Sequence, residues 1–336
     1  MEEKLIIIVG APRSGTTLLA RMLGAHSRVH APAEPHVLTP LAHLGYYDAV
    51  QKAPYNHITS QLGIRALVAS LPNGENDYLN ALRAYTDTLY AAILSTTSAD
   101  LLLDKTPEYA LVLDFVTRLY PGARYVILTR HPMAIWASCI DSFFDGDHIV
   151  AHAHEPTLER YVPAIARFLR DRSVSLCHVS YEELVKAPAQ QIRCICEFLD
   201  IPFEPRMIDY GEAGKQSRPA RGLGDPMKVA SEKRPTGAFV GKWLDGLSGR
   251  PDKVEHFRDV LGHLSDSDLE VWGYLRSDIE AQLSSVDPRG RRLGKPPLNR
   301  HVLERRLLVL LRRNIHTNRF GRGVRKVREI CNVLLR

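Results

Sequence analysis

The chain has 336 residues, 45% of them apolar and 24% charged, a composition typical of a folded globular protein and too apolar for a disordered one. The formal net charge is +6, but segment 300–336 alone carries ten Arg and one Lys against two Glu, so the basic character belongs to the C-terminal tail. No run of about 18 apolar residues is present, which excludes an apolar transmembrane helix, and the five cysteines lack a metal-ligand spacing and favour a reducing compartment.

The first predicted element is a strand from Leu5 to Val9, where five consecutive apolar residues indicate burial on both faces of a parallel sheet. A glycine-containing turn follows, and a helix is predicted from Thr17 onward. Strand, glycine turn and helix together present backbone N–H groups to an anion. The spacing Gly10-x-x-x-x-Gly15 matches the phosphate loop of nucleoside triphosphatases, but a threonine stands in place of their lysine, which argues against ordinary ATP chemistry.

The loop sequence resembles the loop that holds the 5′-phosphosulfate of 3′-phosphoadenosine 5′-phosphosulfate (PAPS) in sulfotransferases. Within that family the resemblance is closest to the tyrosylprotein sulfotransferases and their bacterial relatives. The residues that carry it are Pro12, Arg13, Ser14, Gly15, Thr16 and Thr17.

This resemblance implies an α/β, P-loop-like three-layer fold with a central parallel sheet flanked by helices. It also implies transfer of a sulfuryl group from PAPS to an acceptor hydroxyl, with release of 3′-phosphoadenosine 5′-phosphate (PAP) and without a metal. The first strand is predicted to begin at Leu5, which leaves no room for a signal peptide. Animal relatives in the Golgi carry an amino-terminal anchor, and none is expected here. A cytoplasmic, bacterial enzyme is therefore expected.

Glu34 lies between Pro32 and Pro35, which predicts an extended and rigid segment. In the resembling family, a glutamate at this distance from the loop is the general base for the acceptor hydroxyl. His30 and His36 are the alternatives, because other sulfotransferases use histidine. The following region, about 40–100, is predicted to be a mostly helical insertion that builds the acceptor cleft.

Lys105 follows a short apolar run, Leu101 to Leu103, which predicts a buried strand. Ligands of open α/β sheets bind beyond the carboxyl ends of strands, so Lys105 is expected on the same edge as the glycine loop. The resemblance assigns this lysine to the bridging oxygen of the donor, a role that Arg13 is expected to share.

Arg130 lies at the carboxyl end of a predicted strand, Tyr125 to Leu128, and Pro132 is placed to open the next helix. Arg130 and Ser138 match the 3′-phosphate site of the resembling family, and an arginine offers a planar fork of donors to phosphate oxygens. The polar segment 141–154 is predicted to be a loop; its three histidines have no carboxylate arrangement that completes a metal site.

Two further cofactor contacts are expected later in the chain. Tyr181 follows a predicted strand and matches a family tyrosine that lies beside the adenine. Lys233 precedes Trp243 by ten residues, a spacing that resembles the segment folded over the nucleotide, with Arg221 and Lys228 as weaker candidates.

The resemblance covers about 5–285, so residues 1–285 are predicted to form the catalytic domain and 286–336 a basic, partly amphipathic helical extension. The extension is expected to dock on the body, to form a homodimer or to contact an anionic membrane surface; no nucleic-acid module is recognisable.

A P-loop kinase and a non-catalytic membrane or scaffold protein remain as alternatives for the whole chain. For a sulfotransferase, the acceptor stays open among peptide tyrosine, carbohydrate, lipid and natural-product hydroxyls.

Overall fold

Runs of leucine and β-branched residues form a parallel sheet at the centre of the chain. The computed structural model describes residues 1–48, 56–144, 146–211 and 232–289, with Gly323 and Val327 near the C-terminus. Within these residues the sheet has five strands, all parallel, in the order β2-β3-β1-β4-β5. The strands are β1 (Leu5–Val9), β2 (Val29–His30), β3 (Leu101–Lys105), β4 (Arg124–Thr129) and β5 (Leu176–Ser180).

Helices cover both faces of this sheet. They are α1 (Thr16–Gly24), α2 (Leu38–Ala42), α3 (His57–Ser70), α4 (Glu75–Leu94), α5 (Leu113–Leu119), α6 (Pro132–Phe143), α7 (His148–His154), α8 (Thr157–Asp171), α9 (Tyr181–Lys186), α10 (Pro188–Leu199), α11 (Lys242–Asp245), α12 (Pro251–Gly262), α13 (Asp266–Trp272) and α14 (Arg276–Ser284). One-turn 3-10 helices span Glu2–Lys4, Pro107–Leu111, Pro205–Met207 and Gly237–Phe239.

Strand β1 lies at the centre and divides the core into two layers. Because successive side chains of a strand point to opposite faces, Ile6 and Ile8 pack with α1, α9 and α10, whereas Ile7 packs with helices of the other face, including α5, α6 and α8. All five residues of β1 are buried. The three-layer α/β architecture with a parallel sheet is therefore confirmed.

One strand was missed from the sequence, and one local prediction was wrong. Strand β2, which contains His30, has only two residues and pairs with the start of β3, so its sequence carries too short a pattern to be recognised. Segment 141–154 is not one loop: α6 continues to Phe143, and α7 begins after Asp147, whose side chain accepts a hydrogen bond from the Val150 N–H at 3.0 Å.

The predicted helical insertion contains α3 and α4 in its described part. The extension predicted over 286–336 lies outside the described residues except for 286–289, Gly323 and Val327, and Arg221 and Lys228 are outside them as well. In the ranges given above, no helix is both long and apolar enough to cross a membrane.

Candidate active site

The loop between β1 and α1 depends on two glycines. A Cβ atom on Gly10 would lie 2.6 Å from Thr16 Cγ2 and 2.9 Å from the Leu128 carbonyl oxygen. Gly15 has a φ of 99°, and a Cβ atom there would lie 2.5 Å from Tyr181 Cδ2. Both positions therefore need glycine, one for space and one for space and conformation.

Helix α1 begins directly after this loop. Gly15 is its N-cap residue, and no side chain caps the helix, so its first-turn N–H groups are left for an anion. Ser14 is fully buried, and its Oγ has no hydrogen-bond partner among the described residues. A buried polar atom without a hydrogen bond lowers the stability of the fold unless a ligand supplies the missing partner.

Arg13 and Arg130 join two motifs that are far apart in the sequence. Arg13 has a left-handed φ of 67°, and its Nε donates a hydrogen bond to Ser138 Oγ at 3.1 Å. Arg130 Nη1 donates to the Arg13 carbonyl oxygen at 3.0 Å. The glycine loop and the Arg130–Ser138 segment therefore form one continuous surface.

Arg130 lies against the ring of Tyr181, with the guanidinium carbon 4.3 Å from the ring centroid. Burial lowers the pKa of Arg130 from its ordinary value, and Tyr181 and Glu182 oppose that effect. The buried Nε of Arg130 has no hydrogen-bond partner in the described part of the chain. The fork therefore keeps one donor available for an anion such as phosphate.

A second layer of side chains supports Arg130 from the C-terminal helices. Trp272 Nε1 donates a hydrogen bond to the Arg130 carbonyl oxygen at 2.7 Å. Glu182 accepts hydrogen bonds from the His131 N–H at 3.1 Å and from the Tyr274 hydroxyl at 2.6 Å. Burial lowers the pKa of His131 to about 4, so this ring is neutral where it stacks on Trp243.

A cavity of about 310 Å³ opens between the loop and Arg130. Its lining includes Arg13, Gly15, Thr16, Thr17, Arg130, Ser138 and Tyr181 from the predicted set. Five cationic residues line it against two acidic ones: Arg13, Arg130, Arg234, Lys242 and Lys253 against Asp141 and Glu232. The aromatic residues Phe239, Trp243 and Phe257 add apolar walls. Such a cavity suits an anionic ligand with a flat ring.

Lys105 and Glu34 form an ion pair beside this cavity rather than in its lining. Lys105 Nζ donates to Glu34 Oε1 and, at 3.3 Å, to Thr17 Oγ1. Thr17 lines the cavity, so the pair adjoins it through this residue. The Lys105 and Glu34 side chains are 8% and 15% exposed, which leaves both charges poorly hydrated and close together.

His36 lies behind Glu34. Its Nε2 is 3.4 Å from Glu34 Oε2, and its Nδ1 is 3.6 Å from Glu108 Oε2. A left-handed φ of 52° gives His36 this position. Of the two alternative bases, His36 is beside the predicted carboxylate, whereas His30 lies on β2.

Asp104 is fully buried next to Lys105 in β3. Burial raises its pKa to about 6, although hydrogen bonds from Tyr90, Tyr109 and Thr106 act in the opposite direction. The Tyr90 and Tyr109 hydroxyls donate to Asp104 Oδ2 at 2.6 and 3.0 Å. This network fixes the end of β3 from which Lys105 projects.

Besides Lys105 and Glu34, three predicted residues lie outside the cavity lining: Pro12, Ser14 and Lys233. Pro12 is half-buried within the loop. Lys233 is exposed, and its carbonyl oxygen accepts a hydrogen bond from the Gly211 N–H at 3.0 Å. The adjacent Arg234 lines the cavity instead. The sequence pointed to this segment but not to the residue within it that lines the cavity. In a segment without regular structure, neighbouring side chains point in directions that the sequence does not reveal.

Sequence reasoning missed Lys242, Lys253 and Phe257 of the lining. Lys253 and Phe257 are four residues apart on α12, a spacing that places them on one helix face. Nothing in that spacing distinguishes them from ordinary packing residues.

Comparisons with known proteins give matches in both sequence and fold. A family model described as the sulfotransferase family matches residues 6–205. The chain is 35% identical over 306 residues to nodulation protein NoeE of Sinorhizobium fredii, with 84% of this chain and 69% of that protein covered. It is 24% identical over 297 residues to protein-tyrosine sulfotransferase A of Caenorhabditis elegans, with 87% and 67% covered.

Among solved structures, the sulfotransferase domain from the curacin biosynthetic pathway matches with a TM-score of 0.50 and 24% identity. The match covers 71% of this chain and 89% of that domain. At this identity the likeness bears on the fold alone.

Proposed function

Because the chain belongs to the sulfotransferase family and is a sulfotransferase, we propose that it takes the sulfuryl group from PAPS and transfers it to an acceptor hydroxyl with Glu34 as general base. The observation that carries the donor assignment is the 3.0 Å hydrogen bond from Arg130 Nη1 to the Arg13 carbonyl oxygen. It brings the two predicted phosphate-binding segments to one cavity.

The residues present fit a doubly phosphorylated adenosine. The uncapped α1 N-terminus, with Ser14 and Arg13, would hold the 5′ end, and Arg130 with Ser138 would hold the 3′-phosphate. Ser14 Oγ and Arg130 Nε are buried without hydrogen-bond partners among the described residues, and an anion would supply those partners. Tyr181 and the aromatic wall would contact the adenine.

PAPS supplies a sulfuryl group that passes in line from its phosphate oxygen to the acceptor. The chain contributes mainly position and charge stabilisation. Lys105 lies next to Thr17 at the loop, where an ammonium group stabilises the negative charge that develops on the departing phosphate. Arg13 shares this role from the loop itself.

Glu34 is the better candidate for the base than either histidine. Its carboxylate pairs with Lys105, which in turn contacts Thr17 of the loop, so Glu34 lies beside the expected position of the transferred group. Lys105 contacts one carboxylate oxygen of Glu34, and His36 Nε2 lies 3.4 Å from the other without a hydrogen bond in the described part of the structure. We assign His36 to positioning Glu34. We assign His30 no role in the reaction, since it lies on β2.

The acceptor is proposed only as a hydroxyl compound. A protein-tyrosine sulfotransferase among the relatives makes a tyrosine peptide the first acceptor to test, and carbohydrate, lipid and natural-product alcohols follow. The kinase alternative is not favoured, since the family is that of sulfotransferases.

Calorimetric titration with PAP and with ATP plus Mg²⁺ tests the donor. We expect PAP to bind and ATP to bind at least about tenfold more weakly, since the site offers two separate phosphate contacts. Mass spectrometry then screens tyrosine peptides, oligosaccharides and alcohols for a PAPS-dependent gain of one sulfuryl group. Preferential ATP binding would reject the proposal.

A further inference from the structure

We propose that His152, Glu159 and His263 form a binding site for a divalent transition-metal ion of the zinc type. The three residues come from α7, from the first turn of α8 and from the C-cap of α12. They lie apart from the sulfotransferase cavity, and none of them lines it. The site therefore does not depend on the proposed donor or acceptor.

The ligand atoms already converge on one point. His152 Nε2 lies 2.8 Å and His263 Nδ1 lies 2.6 Å from Glu159 Oε1. All the candidate ligand atoms are within 4.8 Å of one another. With Zn–N and Zn–O bonds of about 2.0–2.2 Å, tetrahedral ligand atoms are roughly 3.3 Å apart. Small side-chain rotations therefore make room for an ion at their centre.

The donor set has the chemistry that zinc prefers. Two imidazoles and one carboxylate, with water in the fourth position, form a known type of zinc coordination. The side chains of His152, Glu159 and His263 are 30%, 25% and 57% exposed, so an ion and its water can reach them from solvent.

Two further imidazoles lie on the His152 side of this cluster. The ring of His256 is 5.4 Å from that of His152, and the ring of His148 is 4.8 Å from that of His256, centroid to centroid. His256 is 8% exposed, and its Nε2 has no hydrogen-bond partner within the described ranges. These two histidines lie next to the cluster but outside the set of three converging ligands.

The sequence alone hid this site. Glu159 follows His152 by seven residues, across the end of one helix and the start of another, and His263 is 104 residues beyond Glu159. A bound ion would tie α7 and α8 to the end of α12. Because α12 carries Lys253 and Phe257 of the cavity lining, the ion would also steady that wall.

Zinc titration of the full chain, freed of any polyhistidine tag and stripped with a chelator, tests the proposal. We expect one equivalent of Zn²⁺ to bind and the melting temperature to rise. Co²⁺ should give the strong visible absorption of a tetrahedral site. Glu159→Gln and His263→Asn should each weaken Zn²⁺ binding by at least roughly tenfold.

His154→Ala is the matched control, because His154 belongs to the same helix as His152 but lies outside the cluster. It should bind Zn²⁺ as the wild type does. Circular dichroism checks that each variant is folded. No binding by the wild type, or equal binding by His263→Asn and wild type, overturns the proposal, the second result pointing to cysteine thiols or other surface ligands.

Discussion

The two sides of the proposed active site are built in different ways. The nucleotide side is shaped by backbone: Gly10 and Gly15 allow the loop, and the Arg13 carbonyl connects it to Arg130. The reaction side consists of two side chains, Lys105 and Glu34, that meet across separate segments. A backbone-built site is damaged by one added carbon atom, whereas a side-chain pair is damaged when a functional group is removed.

Removing the reaction-side groups should have the largest effect. We expect Glu34→Ala and Lys105→Ala each to lower kcat by about 10²–10⁴-fold, because proton transfer and charge stabilisation act in the transition state. The Kd for PAP should change by less than about threefold. Turnover by mass spectrometry and calorimetry with PAP check the two values.

The exposed pair Glu183 and Lys186 supplies the matched controls. Glu183→Ala and Lys186→Ala should leave both constants unchanged. Near wild-type kcat in Glu34→Ala would remove Glu34 from the base role, and an equal loss of PAP affinity would move the pair to the nucleotide side.

Arg130→Ala should weaken PAP binding by about 10–100-fold, since a buried charge-assisted contact contributes about 1.5–3 kcal/mol. Arg130→Lys should recover only part of this loss, because a lysine lacks the planar fork. Arg118→Ala, at an exposed pair with Glu75, is the control. Unchanged PAP affinity in Arg130→Ala would contradict the 3′-phosphate assignment.

One added methyl group should change the free energy of unfolding in opposite directions in the loop and in helix α3. Gly15→Ala places Cβ 2.5 Å from Tyr181 at a φ of 99°, so we expect the free energy of unfolding to fall by about 1–3 kcal/mol. Gly63 lies in α3 with nothing within 4 Å of its Cβ position, and Gly63→Ala should raise that free energy by about 0.5–1 kcal/mol. Urea denaturation measures both; equal effects would contradict the close fit of the loop.

The buried groups behind the two sides should respond to pH with opposite signs. Burial lowers the pKa of His131 to about 4, so the unfolded chain binds more protons between pH 6.5 and 4 and stability falls as the pH falls. Burial raises the pKa of Asp104 to about 6, so its contribution is present at low pH and lost as the pH rises from about 4 to 6.

Urea denaturation from pH 4 to 8 compares the variants with the wild type. His131→Gln should lose less stability on acidification and Asp104→Asn more, each by up to about 1.4 kcal/mol per pH unit in its window. Parallel stability curves for the wild type and both variants would show that neither group titrates as its burial implies.

Local patterns explain why much of the sheet edge was predictable. Buried runs such as Leu5–Val9 announce strands, and Arg130 and Lys105 were expected at strand ends because parallel strands end at one edge. The predicted limits of β3 and β4 differ from the observed ones by one or two residues, because the last ladder bonds of a strand depend on its neighbours.

Contacts that form only in three dimensions were not predictable. The pairing of Arg13 with Ser138 spans 125 residues, and that of His263 with Glu159 spans 104. Segment 141–154 was mistaken for a loop because its histidines are polar in sequence. In the structure they lie on a helix that packs against other aromatic rings, such as His152 against Trp136. Helical spacing alone does not show which side chains turn toward a cavity.

The bond from Trp272 to the Arg130 carbonyl has a consequence for protein engineering. A chimaera that exchanged only the sheet and its first helices with a homologue would leave this indole behind. The arginine equivalent to Arg130 would then lack its own tryptophan donor. Donor binding should weaken even though the arginine itself was present. Grafts should therefore carry α13 and Tyr274 together with the strand that bears the arginine.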